Sequence, residues 1–377
     1  MNAGGSQRQL LNLLERVDRS QFDPHLFLIS PHGELLSDVP DDVTTYIAHR
    51  PGSARNILKS AFAARHRVND LVQVLSEQRI DVVYDRTYHM TLITGAATRK
   101  FPVPRASVIV SDPLRDFETN PERLRWLKRR MLRKAYQRAN TVVAVSEGVR
   151  RAAINYYGLA AEQIETVCNS FDVDQIQRQS HEPLSTELAR RPGRFRIVAA
   201  GRLHEAKGYD LLIQAICQIV VERGLPQVEL VIAGGGEQEN LLRTLIDQSQ
   251  LADHIILAGH LPNPLPLIRS ADLFCLSSRY EGMPNVVVEA MCCEVPVLAT
   301  DCKSGPRDIL QDRFGRLVQP NDVTGLAEGI VDIMSDPSVS RSIAPAALAH
   351  VSQTYGITAG VQHVEELLLR LARQSRA

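Results

Sequence analysis

The stretch "RIVAAGRLHEAKGYDLLIQA", Arg196 to Ala215, contains one complete strand-to-helix step. Its apolar opening suits a strand buried in a parallel sheet, Gly201 closes that strand, and helical spacing begins near Tyr209. Arg202 and Lys207 fall in the intervening loop. Loops at the carboxyl edge of an open parallel sheet border its ligand crevice, so two cations there suit a diphosphate. Taken alone, the same pair also fits a solvated loop before a helix.

Working outward, the step recurs on both sides. "VELVIAG", "HIILAG", "DLFCLS" and "VPVLAT" follow it, and "HLFLIS", "DVVYD", "ASVIVS" and "TVVAVS" precede it, with helical patterns such as Leu10, Leu13, Leu14 and Val17 between. The aperiodic polar run "NSFDVDQIQRQSHEPLST" separates the two series. The expected architecture is α/β: a first Rossmann-like domain over residues 1–175, a second over 176–355, and a closing amphipathic helix within 356–377, its apolar stripe formed by Val361, Val364, Leu368 and Leu371. One part is missing. A doubly wound domain opens with a strand, yet Gly4 and Gly5 stand almost at the front, with Ser6 as a candidate cap for a helix from Gln7 to Val17, so the first strand is expected to be absent.

Composition narrows the class. The 377 residues are 44% hydrophobic and 23% charged with zero net charge, an ordinary globular make-up with room for two cores. The balance is uneven: residues up to Arg178 hold 25 basic and 20 acidic side chains, the remainder 18 and 23. Six cysteines without a C-x-x-C pair or a zinc-like histidine partner suggest neither disulfides nor a metal site. No apolar run reaches the ~18 residues of a membrane span, and "NAGGSQRQ" does not read as a secretion signal. A cytoplasmic protein in a reducing environment is expected.

The run "VIAGGGEQENLL" offers Gly234, Gly235 and Gly236, but a dinucleotide fingerprint needs glycine where Glu239 stands. A glycine turn facing a ligand and a plain strand-to-helix turn both remain open. In "RYEGMPNVVVEAM", Arg279 to Met291, Glu281 falls in the loop after a strand, and Glu289 lies one turn into a helix whose start is near Asn285. A helix start between two carboxylates can meet phosphate with its dipole while the carboxylates accept sugar hydroxyls. By themselves, two glutamates at that spacing also fit a capped helix with a solvated side chain.

Together, "GRLHEAKGYDLLIQA", "EGMPNVVVEAM", "PVLATDCKSGPRDIL" and "GGSQRQLLNLLERVDRSQFDPHLFLIS" resemble the retaining glycosyltransferases of family 4, group 1, which have the GT-B fold of two facing Rossmann-like domains with the donor cleft between them. The resemblance covers nearly the whole chain. It implies that Arg202 and Lys207 bind the donor diphosphate and, with Glu281 at the transferred sugar, form the catalytic set. Glu289 would hold the ribose, and Gly201, Gly282, Met283, Pro284, Asn285 and Val286 would line the donor, with Gly4 and Gly5 opposite. The donor is expected to be a UDP-linked hexose or N-acetylhexosamine, used as substrate with no metal or other cofactor. The acceptor is expected to be a saccharide or lipid-linked saccharide of the cell envelope. Where relatives carry a sugar-contacting histidine, this chain reads Ser111, Asp112, Pro113; Asp112 is a candidate sugar contact or a simple turn, and His89 a candidate contact or a structural ring. Two competing readings stay open: a UDP-N-acetylglucosamine 2-epimerase-like isomerase and a non-catalytic sugar-nucleotide-binding protein.

The segment "PERLRWLKRRMLRKAYQRAN", residues 121–140, holds eight Lys or Arg and one Glu. Helical spacing places Leu124, Leu127, Met131 and Ala135 in a stripe that would pack on the domain, leaving Arg125, Arg129, Arg130, Arg133 and Trp126 outward. A solvated basic face and a contact with an anionic membrane surface, peripheral on its inner face, both fit. Nucleic acid is disfavoured, because no base-stacking aromatics accompany the basic patch.

Overall fold

A computed structural model describes residues 5–48, 57–114 and 125–376. The chain forms two compact units, Met1–Ser170 together with Ile357–Ala377, and Phe171–Gly356. No helix among the described residues is long and apolar enough to cross a membrane.

In the first unit, β1 (His25–Leu28) pairs in parallel with β2 (Thr44–Ile47) as a separate two-stranded sheet. β3 (Val83–Arg86), β4 (Arg105–Ile109), β5 (Thr141–Ala144) and β6 (Ile164–Thr166) follow one another in a four-stranded parallel sheet. Every residue of β4 and β5 is buried, including Arg105 and Ser107 of β4, where Arg105 donates to Ser107 Oγ and Ser107 Oγ donates to Asp85 at 2.7 Å. Among the described residues, no strand pairs with both β1 and β3. The first helix begins at Gly5, ahead of the expected Gln7, because Ser6 does not cap it but sits in its first turn, where its hydroxyl accepts from Arg86 Nε at 3.3 Å. The helix Ile357–Arg376 also belongs to this unit. It buries Val361, Val364, Leu368 and Leu371, and Arg370 pairs with Glu165 at 2.6 Å.

The basic helix, described over Arg125–Gln137, corrects the expected packing face. Leu132 and Tyr136 are buried, whereas Leu127 and Met131 are 36% and 49% exposed and Trp126 is 65% exposed. Leu124 lies outside the described residues. The packed face is turned by about one residue, or ~100°, so that Leu132 and Tyr136 take the inward positions, while Ala135 of the expected stripe does meet Gly95 of the neighbouring helix Tyr88–Lys100, where an added Cβ would come within 3.1 Å of the alanine methyl. Not all the arginines are free. Arg129 donates to the Tyr156 carbonyl at 2.7 Å and lies over that tyrosine's ring.

The second unit carries β7 (Phe195–Ala200), β8 (Val228–Ala233), β9 (Ile255–Gly259), β10 (Leu273–Leu276), β11 (Val297–Thr300) and β12 (Arg316–Val318). All are parallel, in the order β12-β11-β10-β7-β8-β9. The chain builds outward from β7 through β8 and β9, then returns to lay β10 against the other edge of β7. The order of the strands reverses between β7 and β10, and at such a topological switch point the carboxyl edge of an open parallel sheet takes its ligand. Beneath it, Ile197, Leu212, Ile216, Leu230 and Ile330 sit in one fully buried cluster.

At the opposite edge, Arg196 is completely buried. Its Nε donates to Glu229 Oε1 at 2.7 Å, its terminal nitrogens donate to the Leu188 and Ala189 carbonyls, and its backbone N–H donates to Asp272. Removing one member of such a pair strands the other charge in a low dielectric. Arg196→Met is therefore expected to cost about 3–5 kcal/mol in urea unfolding. Adding Glu229→Leu should recover part of that loss, and an equal loss in the double variant would show that the pair is not the cause.

Candidate nucleotide-binding site

The crevice over β7 and β10 is built by three loops. After β7, Gly201 has φ 149°, and a Cβ there would stand 3.0 Å from the Tyr209 hydroxyl, so this position has no room for a side chain. A short 3₁₀ turn, Glu205–Lys207, follows. Gly208 then takes the left-handed conformation, φ 60°, and the helix Tyr209–Cys217 begins. A Cβ on Gly208 would lie 2.3 Å from the Ser277 carbonyl oxygen.

The loop after β10 is stitched to this turn. Ser277 Oγ donates to the Lys207 carbonyl at 2.9 Å, and the Arg279 N–H donates to the Ala206 carbonyl at 2.7 Å. The Arg279 guanidinium grips the Asp210 carboxylate at 2.8 and 2.7 Å, and that hydrogen-bonded partner raises the guanidinium above its ordinary pKa. Across the two loops, Lys207 Nζ meets Glu281 Oε1 at 2.6 Å, and the same oxygen accepts from Ser278 Oγ at 2.7 Å. Glu281 is 8% exposed, so the ammonium and carboxylate are set by their surroundings as well as by each other.

The loop after β11 fixes the rest. Ser304 Oγ donates to the Glu281 carbonyl, and Gly305, at φ 92°, lies so close that a Cβ would stand 2.6 Å from Pro284 Cδ and 2.9 Å from the Gly282 oxygen. Gly282, Met283 and Pro284 are thus buried backbone between two loops. Pro284 occupies the cap position of the helix Asn285–Cys292, and no side chain caps that helix. The positive end of its dipole faces the same loop. Val286 is in its first turn, and Glu289 lies partly buried one turn in.

Arg202 is on the rim, 68% exposed, paired with Glu237 at 3.1 Å, and His204 is 3.5 Å from the same carboxylate. The triple glycine serves the backbone. A Cβ on Gly234 would come within 1.9 Å of the Gly201 oxygen, and one on Gly236 within 2.4 Å of the Leu203 oxygen, so the turn lets the β8 loop lie flat against the β7 loop. Tyr209 is buried with no hydrogen-bond partner for its hydroxyl. Burial, followed by the nearby Glu281 charge, pushes its pKa up and keeps it protonated.

The structure therefore gathers Gly201, Arg202, Lys207, Glu281 through Val286 and Glu289 in the second unit. Sequence reading missed Asp210, Ser277, Ser278 and Ser304, which orient them, and no spacing signal marks residues that act through the fold. Of the first-unit candidates, Gly4 lies outside the described residues and Gly5 opens the first helix. The Asp112 carboxylate accepts the Leu114 N–H at 2.9 Å, the geometry of a local turn. His89 is exposed on the helix Tyr88–Lys100, its ring 3.9 Å from that of Tyr88.

Comparison with known proteins accords with this geometry. The sequence model described as "Glycosyltransferase Family 4" matches residues 3–175, and that described as "Glycosyl transferases group 1" matches residues 181–350. An uncharacterized glycosyltransferase of Methanocaldococcus jannaschii is 31% identical over 46% of this chain and 43% of its own length. The N-acetylgalactosamine-N,N'-diacetylbacillosaminyl-diphospho-undecaprenol 4-alpha-N-acetylgalactosaminyltransferase of Campylobacter jejuni is 26% identical over 55% of this chain and 54% of its own. These matches span about half the length of the curated relatives. The Anabaena protein HepE, solved in complex with UDP-glucose, has a TM-score of 0.79 at 22% identity, covering 98% of this chain and 97% of its own, which establishes a shared fold.

Replacing Gly208 by Ala forces a left-handed alanine into the Ser277 carbonyl. A loss on the order of 2 kcal/mol, or roughly 4–8 °C in melting temperature, is expected. Gly224, also left-handed at φ 65°, has nothing within 4 Å of an added Cβ and serves as the control. Similar losses for Gly208→Ala and Gly224→Ala would show that contact between the two loops does not matter.

Proposed function

The chain belongs to the family 4, group 1 glycosyltransferases, and from that premise we propose that it transfers a hexose or N-acetylhexosamine from a UDP-sugar to a saccharide or lipid-linked saccharide acceptor of the cell envelope. The observation that carries this reading is the Lys207–Glu281 pair beside the start of the helix Asn285–Cys292, at the switch point of a parallel sheet. The UDP-glucose held by the Anabaena relative and the diphospho-undecaprenol acceptor in the Campylobacter relative's name support the donor and acceptor classes.

Cleavage of a sugar from its diphosphate places negative charge on the departing phosphate. Lys207, Arg202 and the helix dipole meet that charge with groups already in place, so little reorganisation is needed during reaction. In this reading the protein's own cations carry the phosphate charge, and no metal is invoked. Glu281 keeps the lysine ammonium aimed and borders the transferred sugar, while Glu289 accepts the ribose hydroxyls. Gly201, Gly282 and Met283 bring backbone close to the donor, and the turn from Pro284 through Asn285 to Val286 faces its phosphates. The sugar keeps its configuration when the acceptor hydroxyl attacks from the face the diphosphate leaves, with that phosphate taking the proton.

Lys207→Ala is expected to lower kcat/KM by about 10²–10³, and Glu289→Ala to lose charged hydrogen bonds worth roughly 1.5–3 kcal/mol each, mainly as weaker donor binding. UDP release with and without acceptor, alongside far-UV circular dichroism, tests both. Near-normal turnover in both folded variants, or an epimerised donor without transfer, would overturn the assignment.

The basic helix suggests where the acceptor is met. Exposed Trp126, Leu127 and Met131 adjoin exposed Arg130, Arg133 and Lys134, an apolar strip with a cationic border that suits an anionic leaflet. Sedimentation with anionic vesicles should be strong at ~0.1 M salt and lost near ~1 M, where the screening length falls from about 10 Å to about 3 Å. Trp126→Ser with Met131→Ser, or Arg130→Gln with Lys134→Gln, should abolish it and slow only lipid-linked transfer. Unchanged sedimentation would remove the membrane contact.

A further inference from the structure

The parallel pairing of β10 with β11 runs to Leu276 opposite Ala299. Past that pair, side chains continue the contact between the two chains. Thr300 Oγ1 and Cys302 Sγ both donate to the Ser278 carbonyl, at 2.5 and 3.0 Å, and Ser304 Oγ donates to the Glu281 carbonyl at 2.5 Å. The three donors are alternate residues and all are buried, whereas Lys303 between the last two is exposed. A tight turn, closed by the Cys302 N–H on the Thr300 carbonyl at 2.9 Å, brings the hydroxyl and the thiol within 3.5 Å of each other. The Asp301 N–H donates away from β10, to the Val318 carbonyl of β12 at 2.7 Å. With that backbone donor engaged on the far side, side chains supply the near one.

Ser278 passes this grip on. Its Oγ donates to Glu281 Oε1 at 2.7 Å, the oxygen that Lys207 Nζ also reaches at 2.6 Å. Both side-chain contacts of Glu281 therefore fall on one oxygen, while Ser304 holds the main chain of the same residue. Among the described residues no hydrogen bond is made to Oε2, which leaves that oxygen for a ligand. Burial of the Ser278 carbonyl asks for one donor. Two donors, one for each lone pair, fix the direction of the peptide as well. Burial pushes the Cys302 thiol up to about 12, so it keeps the hydrogen that it donates.

We propose, on the reading that Glu281 borders the transferred sugar, that Thr300 and Cys302 are positioning residues: through Ser278 they hold the Glu281 carboxylate with Oε2 turned to that sugar. A reacting group displaced by ~1 Å costs about 10²-fold in rate. Ser278 stands only three residues from Glu281 and bonds to its carboxylate, so a shift of the Ser278 peptide is carried directly to the oxygens. Thr300 and Cys302 act from behind the loop, and their influence on rate depends on the Ser278 hydroxyl.

The test uses the full chain with UDP-glucose, UDP-galactose and their N-acetylamino forms, each in the presence of an envelope lipid extract. UDP release gives kcat and donor KM, and UDP affinity and melting temperature are measured beside them. Thr300→Val and Cys302→Ala each leave one donor on the Ser278 carbonyl. Either should lower kcat on the order of 10-fold and the two together on the order of 10²-fold, with donor KM and UDP affinity nearly unchanged. Cys302→Ser restores a donor hydrogen and should recover most of the loss seen with alanine. In a Ser278→Ala background, Thr300→Val should add little further loss, because the two act in series. Cys275→Ala, which removes a thiol from the buried cluster at β10, should lower the melting temperature and leave kcat as it was. Lower melting temperatures for Thr300→Val and Cys302→Ala at unchanged kcat, or full additivity with Ser278→Ala, would overturn the positioning role and leave the transfer reading standing. Should Thr300→Val fail to fold, equal kcat for Cys302→Ala and Cys302→Ser would overturn the role by itself. A wild-type chain that releases no UDP from any of these donors would overturn the transfer reading and the positioning role together.

Discussion

The organisation of the second unit rests on the parallel pairing of β10 with β7. Once β8 and β9 have occupied one edge of β7, the returning chain can pair only at the other, which sets the loops after β7 and β10 side by side at the carboxyl edge. The candidate site is built across that junction. The Ser277, Arg279 and Glu281 contacts span it, and they bring residues some seventy positions apart within hydrogen-bond reach of the Glu205–Lys207 turn.

This stitching explains why glycine stands where it does. Gly208 and Gly305 each sit in a positive-φ turn where a side chain would strike the neighbouring loop's backbone, so the loops meet main chain to main chain. Close backbone contact gives the site its rigidity, and rigidity is what electrostatic stabilisation requires: an ammonium and a helix end that do not have to move as charge develops. The unit places one charged pair at each edge, with the fully buried Arg196–Glu229 pair at the amino ends of β7 and β8 and the Lys207–Glu281 pair past the carboxyl ends of β7 and β10.

The first unit follows the same βαβ logic. Its described strands form two parallel sheets, β1 with β2 and β3 through β6. Its basic helix shows how tertiary contacts override a helical wheel. The packed face carries Leu132 and Tyr136 beside Ala135, and Leu127 and Met131 are turned outward.

By itself the sequence determined the class of the fold and most of the strands. Runs such as "RIVAAG", "VELVIAG" and "ASVIV" are apolar at most positions because both faces are buried, and that pattern is local. It also placed Arg202, Lys207 and Glu281 in loops that follow directly from strand ends, and Glu289 one turn into the helix after the last of them. β2, with the sequence Thr-Thr-Tyr-Ile, and the three-residue β6 and β12 escaped notice, for none carries a sufficient apolar run. Only the tertiary structure decided that Lys207 meets Glu281, that Arg279 grips Asp210, and that the glycines of "AGGGE" serve loop packing. Those contacts join residues brought together by strand order, and strand order is set by which edge of β7 remains free when β10 arrives, a property of the assembled sheet that no short window of sequence contains.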